Sequence, residues 1–388
     1  MKSDGKNVPE LRFPEFSGEW EEKKIGELAN IVRGASPRPI SNPIWFDDNS
    51  DIGWLRIADV TEQNGRIHHL KQRISVDGQA KTRVVLEKHL LLSIAASVGK
   101  PVINYVKTGV HDGFLIFKNP VFDIEFMFQW LEFFKYKWQK YGQPGSQTNL
   151  NADIVKLQDI YIPNRVEQIK IGDFFSKFDQ QIELEEKKLD LLEKQKKGYL
   201  QKIFSQEWRF KGDDGNEYPE WEEKELREIT KYSSSKRSSS AFSDNTVLQL
   251  YPVYDANKII GTSDDFDIKE SYISIIKDGA GVGRIELRPG QTSVISTMGY
   301  IMPNRVDVCF LYYNLKLIRL SKYIIGSTIP HIYYGDYSRE KIRIPSSIEE
   351  QKKIGSFLAK IDELIENKFQ KINTLREQKQ GLLQKMLV

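Results

Sequence analysis

A chain of 388 residues, 39% hydrophobic and 29% charged, is long enough for two cores and has the composition of a globular protein. Its net charge of +3 excludes a global basic field, so any affinity for nucleic acid has to be local. Cys309 is the single cysteine, which excludes an internal disulfide framework or a cysteine-rich zinc site. No uninterrupted apolar run is long enough to span a bilayer, so no membrane is expected and the chain is expected in the cytoplasm.

Residues 1–19 form a polar N-terminal segment without an apolar core. Residues 20–162 read as a first globule: short apolar runs at 54–60, 90–95 and 102–106 predict strands between turns, and the aromatic-rich stretch 122–141 predicts a helix packed on them. Residues 163–206 predict a long helix, opened by Pro163 and a capping box of Asn164 with Glu167. Stepping by four and three places Ile171, Phe175, Phe178, Ile182, Glu185, Leu189, Leu192, Lys196, Tyr199 and Ile203 on one stripe, eight of the ten apolar.

Residues 207–220 are a linker centred on a polar turn, Gly212 to Asn216. Residues 221–344 read as a second globule, with strands predicted at 271–276 and 292–295 and a helix at 309–325. Residues 345–388 repeat the long helix, opened by Pro345 and a box of Ser346 with Glu349. Its stripe carries Ile354, Leu358, Ile361, Ile365, Lys368, Ile372, Leu375, Lys379, Leu382 and Met386, displaced by 183 residues (354 minus 171).

A 3.5-residue spacing sustained this long is a coiled-coil seam, and each helix would be about 55 Å long. The helices are expected to pair with each other, antiparallel, through Phe178, Ile182, Leu189 and Leu192 against Ile361, Ile365, Ile372 and Leu375. Parallel packing would put both globules at one end. Glu185 and Lys368 occupy one seam position with opposite charge, which disfavours like-with-like pairing, and the matched Gly198 and Gly381 predict close packing. The repeat extends upstream: Glu10, Leu11, Arg12 and Phe13 recur as Glu207, Trp208, Arg209 and Phe210. The expected fold is α+β, two globules separated by two long antiparallel helices, with an internal pseudo-two-fold repeat.

Three loops recur in both globules, and they hold the candidate DNA-binding residues. In the first globule these are Arg33, Ser36 and Arg38, then Lys100, then Gln147 and Asn149. In the second they are Lys236 and Arg237, then Lys277 and Arg284, then Ser327, Thr328 and His331. Cations flanked by small residues reach phosphates, while Gln, Asn, Ser and Thr hydrogen-bond base edges. No catalytic, cofactor or metal residues are assigned. Adjacent prolines, a His-Glu-x-x-His run and a Gly-Lys-Ser/Thr phosphate loop are all missing from the sequence. Gly279, Gly281 and Gly283 read as a hairpin, and the adjacent His68 and His69 would diverge on a strand.

On these features the chain resembles the specificity subunits of type I DNA restriction-modification systems over nearly its whole length. The carriers are Gly145-Ser146 and Gly326-Ser327, the steps Ile162-Pro163 and Ile344-Pro345, and Glu167, Gln168 and Gly172 repeated as Glu350, Gln351 and Gly355. Tyr251 to Gly261 resembles the family's opening strand and turn, with Asp255 where glycine is common. The resemblance implies a non-catalytic subunit in which each globule is a target-recognition domain reading half of a bipartite DNA target. The helices would set the spacer. It implies double-stranded DNA, two methyltransferase subunits and, in some assemblies, restriction subunits as partners, with S-adenosylmethionine held by the methyltransferases. Two other classes stay open on the residues alone: a self-contained DNA-modifying enzyme with an unfamiliar site, and a coiled-coil scaffold that binds no nucleic acid.

Overall fold

A computed structural model describes residues 7–95, 97–141, 150–238 and 251–387. The chain divides into two compact units, Met1–Glu186 with Gln370–Val388, and Lys187–Phe369. The helices are therefore not segments apart from the globules, as the sequence reading drew them. Each unit is one globule plus half of each long helix, Arg165–Phe204 and Ile348–Met386.

The physical reason is a shared core. In the first unit, Ile171 and Phe175 of one helix and Leu383 and Met386 of the other are buried in the same cluster as Phe117, Phe126 and Trp130 of the globule. In the second, Ile203, Ile354 and Leu358 are buried with Trp221, Phe310 and Leu311. Within each unit the two helix halves run antiparallel, as expected. Lys379 pairs with Asp179 and Arg376 with Glu186 in the first. In the second, Lys196 pairs with Asp362 and Tyr199 packs edge-on to Phe357.

Each globule is closed where the chain enters and leaves. Glu21–Lys24 pairs antiparallel with Asp159–Ile162, and Trp221–Glu225 with Lys341–Pro345. Inside, the sequences diverge but the strand order repeats. The first globule's sheet runs Asn30–Arg33, Phe114–Lys118, His89–Ser93, Pro101–Asn104, with Arg66–Ile67 added in parallel at the end. The second runs Thr230–Ser234, Met298–Pro303, Tyr272–Ile276, Ile285–Arg288. A three-stranded sheet accompanies each. The helices Ile124–Phe134 and Val308–Leu317 lie where the aromatic stretches predicted them, each followed by a 3-10 turn.

Four local expectations are corrected. The run 54–60 is not one strand: it is strand only at Gly53–Trp54 and turns helical at Ile57–Glu62, where Asp59 accepts from the Arg56 backbone and guanidinium. Glu167 does not complete a capping box. Asn164 does cap the Glu167 amide at 3.0 Å, but the Glu167 carboxylate takes Arg12 instead. In the second helix Ser347, not Ser346, accepts from Glu349, while Ser346 donates to Glu220 O.

The fourth correction concerns glycine. A Cβ at Gly198 or Gly381 would meet nothing within 4 Å, so close packing does not explain them. It explains Gly172 and Gly355 instead. A Cβ there would lie 2.7 Å from Phe126 N and 2.8 Å from Phe310 N, because the globule helix starts against the long helix. Gly172→Ala and Gly355→Ala should each destabilise by about 1–3 kcal/mol through overpacking. Gly198→Ala and Gly381→Ala should each stabilise by about 0.5–1 kcal/mol by removing a helical glycine. Thermal melts of the four variants check the sign at each position.

Candidate nucleic-acid interface

The frame that carries the loops is built twice from the same residues. Arg12 grips the Glu167 carboxylate with Nε and Nη2, both at 2.7 Å, and Arg209 grips Glu350 at 3.1 and 2.9 Å. Both carboxylates are 0% exposed. The next residue ties the long helix to the globule. Gln168 accepts from Asp123 N at 2.8 Å and donates to Pro163 O, while Gln351 accepts from Asp307 N at 2.9 Å and donates to Pro345 O. Asp123 and Asp307 are the caps of the two globule helices.

Three turns along, Asp179 takes Lys379 of the other helix and Gln129 of the globule, and Asp362 takes Lys196 and Tyr313. In the first unit Arg66 joins as well, bonding Asp179 at 3.0 Å and Glu125 at 2.7 Å. Burial acts to lower the Arg66 pKa, but the two carboxylates outweigh it and leave the guanidinium raised. Burial likewise pushes the Tyr105 hydroxyl beside it up to about 12.

The seam side chains expected at the helix pairing fall on the covered face. Ile182, Ile361, Ile372 and Leu375 are buried, and Phe178, Leu189, Leu192 and Ile365 half-buried. Glu185, an exception on that stripe, is buried and accepts from Lys371 at 3.1 Å.

In the first globule, Arg33, Ser36 and Arg38 gather on one residue that the sequence did not single out, Asp112. Arg33 Nε donates to its carbonyl, Ser36 Oγ to Oδ1 and Arg38 to Oδ2, each at 2.6 Å. The Ser36 bond, with Arg38 and Arg33, holds the Asp112 carboxyl below its ordinary value against the opposing effect of burial. Arg83, also missed, donates to Arg33 O at 2.7 Å. Lys100 is half-buried, burial pushes its ammonium down, and Glu132 and Lys135 act on it from the helix side. Gln147 and Asn149 lie outside the described residues.

In the second globule, a chain of backbone hydrogen bonds brings all three loops together. Ser296 N donates to Arg237 O, Lys277 N and Asp278 N donate to Thr297 O, and Gly279 N donates to Pro330 O. The glycines form the hairpin the sequence predicts, with Gly279, Gly281 and Gly283 at φ of 88°, 81° and 83°. Lys236 and Arg284 are exposed, Arg284 resting one nitrogen on Ala256 O and Asn257. Lys277 pairs with Asp278 at 3.2 Å, Ser327 and Thr328 are exposed, and His331 is half-buried beside Tyr333.

The Arg237 guanidinium binds Asp265, both oxygens of Asp267 and Ser263, which pins the loop from within. The acidic run Asp264, Asp265, Asp267 is the signal that could have revealed this. Asp112 has no such neighbour pattern. Among the described residues no cluster of three His, Cys, Asp or Glu side chains is placed to hold a metal, and no helix is long and apolar enough to cross a membrane.

The duplicated frame, with a set of polar and basic loops on each globule, is the plan of a two-domain DNA reader. The family model for the type I restriction modification DNA specificity domain matches residues 17–194 and 218–377, and the chain belongs to that family. It is similar to the type I restriction enzyme MjaVIII specificity subunit of Methanocaldococcus jannaschii, 26% identical over 98% of this chain and 94% of that one. The type I restriction enzyme EcoprrI specificity subunit of Escherichia coli is 25% identical over 88% of this chain and 87% of its own. In fold the chain matches the crystal structure of the S subunit of a type I restriction-modification system from M. genitalium, with a TM-score of 0.70 at 17% identity over 98% and 99% of the two chains.

Two outcomes separate pins from presented cations. Arg237→Gln should lower the melting temperature of the second globule modestly, because it leaves Asp265 and Asp267 without their shared cation, whereas Lys236→Gln should leave the melting temperature unchanged. Asp112, with its pKa depressed from 3.8, contributes order that is present above that value and lost as pH falls through the lower folded value. Hydrogen exchange at residues 33–38 should therefore rise below the ordinary carboxylate range in the parent and show no such step in Asp112→Asn.

Proposed function

We propose that the chain is the sequence-reading, non-catalytic subunit of a type I restriction-modification complex. Each globule reads one half of a bipartite duplex target through its three loops, and the paired long helices set the spacing between the halves. Methyltransferase subunits, and restriction subunits where present, dock on this chain and bring S-adenosylmethionine and the transferable methyl group, and the complex works in the cytoplasm. The observation that carries this reading is the duplication of one frame, Arg12–Glu167–Gln168–Gly172 and Arg209–Glu350–Gln351–Gly355, beneath loops that differ. A common frame under unlike loops suits one subunit that must read two unlike sequences in a fixed relation.

In this reading Arg33, Arg38, Lys236, Lys277 and Arg284 meet phosphates, and Ser36, Ser327, Thr328 and His331 face base edges. Removing a phosphate contact should weaken binding to all duplexes alike and lower the slope of log K against log salt by about 0.9 per contact.

Methylation mapping of a host carrying this subunit with its partners tests the whole. A bipartite motif is expected, one half of which changes when residues 221–344 are exchanged for those of a relative, while the other half and the spacer stay. An unchanged motif after the exchange would sink the assignment. The spacer can be tested apart from the half-sites, because the units divide between Glu186 and Lys187 and between Phe369 and Gln370. One heptad inserted at each point keeps both stripes in register and lengthens each helix by about 10 Å. The spacer should then grow by up to about three base pairs of 3.4 Å rise, with both half-sites unchanged.

A further inference from the structure

The third loop of the second globule carries a side chain that phosphate binding and hydrogen bonding leave unexplained. Residues 326–330 are Gly-Ser-Thr-Ile-Pro, and Ile329 is 66% exposed among them. The loop is a closed hairpin. Ile325 and His331 exchange two backbone hydrogen bonds at 2.9 and 2.8 Å, and Gly279 N holds Pro330 O from the neighbouring hairpin at 2.9 Å.

Its conformation is fixed at the tip as well. Gly326 sits at φ 90°, where a Cβ would come 2.6 Å from Ile329 O, and the His331 ring nitrogen lies 3.2 Å from that same carbonyl. The backbone of Ile329 is thus turned into the loop and its side chain stands out, on a β-branched residue with few rotamers to lose. A rigid apolar tip costs little to order on binding. Around it lie the Ser327 and Thr328 hydroxyls in its own loop and Lys277 and Arg284 in the hairpin that the loop is bonded to, while the exposed Ile325 and Tyr333 stand at the base of the loop rather than at its tip.

We propose that Ile329 is a specificity-determining residue that touches the 5-methyl group of a thymine in the half-site read by the second globule. The proposal rests on the DNA-reading function above and adds the chemistry of one position. Hydroxyls accept and donate, so Ser327 and Thr328 discriminate weakly between base edges. The thymine methyl is the one apolar mark in the major groove, and an apolar side chain is what recognises it. The neighbouring hydroxyls place Ile329 at base edges in a groove rather than between stacked bases.

The test removes the methyl from either side. The chain, assembled with its methyltransferase subunits, binds duplexes carrying the mapped target in which each thymine of the second globule's half-site is replaced in turn by deoxyuridine. At one position the parent should lose about fourfold in affinity, the worth of one buried methyl. Ile329→Ala should bind the thymine duplex about fourfold more weakly, with no further loss on the deoxyuridine one. The exposed side chain makes this variant safe to fold, and an unchanged melting temperature confirms it. A half-site with no thymine, no sensitive position, or a deoxyuridine penalty that persists in Ile329→Ala would overturn the proposal. So would a uniform loss on every duplex, the mark of a wedge between bases. Failure of the parent to bind its mapped target would instead overturn the function on which the proposal rests.

Discussion

Two buried carboxylates hold the architecture together. Glu167 and Glu350 sit in the first turn of their helices, where the helix dipole favours negative charge, and neither is exposed to water. Each is held there by an arginine from the segment ahead of its globule that binds both oxygens, and Glu350 accepts from Trp221 Nε1 as well. Removing one partner of such a pair leaves a bare buried charge, a cost of about 3–5 kcal/mol and a large share of a domain's stability. Arg12 reaches back to Ser17 O and Gly18 O, and Arg209 to Tyr218 O and Pro219 O, so each clamp also fixes the turn leading into its globule. With Gln168 or Gln351 beside it and Gly172 or Gly355 one turn on, the clamp sets where the globule helix starts against the long helix.

Polar groups at the helix seam decide how the helices pair, and they divide the task. Asp179 meets Lys379 and Asp362 meets Lys196, equivalent contacts in the repeat, since 362 minus 179 and 379 minus 196 are both 183. In a parallel pair like charges would face each other, so these contacts select the antiparallel arrangement. They do not select the partner, because a helix paired with its own copy would keep them. That choice falls to Glu186 with Arg376 and Glu185 with Lys371. In a self-pair of the first helix Glu186 would face Glu193, the counterpart of Arg376. In a self-pair of the second, Lys371 would face Lys368, the counterpart of Glu185. The charge reversal at Glu185 and Lys368 is visible in the sequence, and the structure supplies the residue that answers Glu185, which is Lys371.

What the sequence disclosed depends on the range of the interaction. The seams were legible because a 3.5-residue period is a local pattern, and the strands because β-branched and aromatic runs are local too. Glu167 was misread for the same reason: Asn-x-x-Glu looks like a capping box within four residues, while its true partner lies 155 positions away. The recurrence of Arg12 as Arg209 and of Glu167 as Glu350 held that information, but only as a pairing between two repeats. The common four-strand order was hidden because it constrains hydrogen-bonding backbone and buried volume, which many side chains satisfy. The three loops recur in the sequence, but the partners of Arg237 and the burial of Lys100 do not show there, since they depend on Asp265, Asp267 and neighbours that only the fold brings near.

The separation of frame from loops also explains how such a chain can change what it reads. Every residue of the two clamps lies in the entry segment, in the first turns of a long helix or at the cap of a globule helix, and none lies in a recognition loop. The entry and exit strands of each globule pair with each other, so the chain returns to the place where it entered. A loop can then alter its residues, even its length, without moving the points at which the globule is held, because the loops close on their own pins, Asp112 in one globule and Asp265 with Asp267 in the other. Arg66 sets the limit of this freedom. It reaches from a strand that, among the described residues, only the first globule has to Asp179 on the long helix, so that strand is tied to the frame and is not free to vary with the loops.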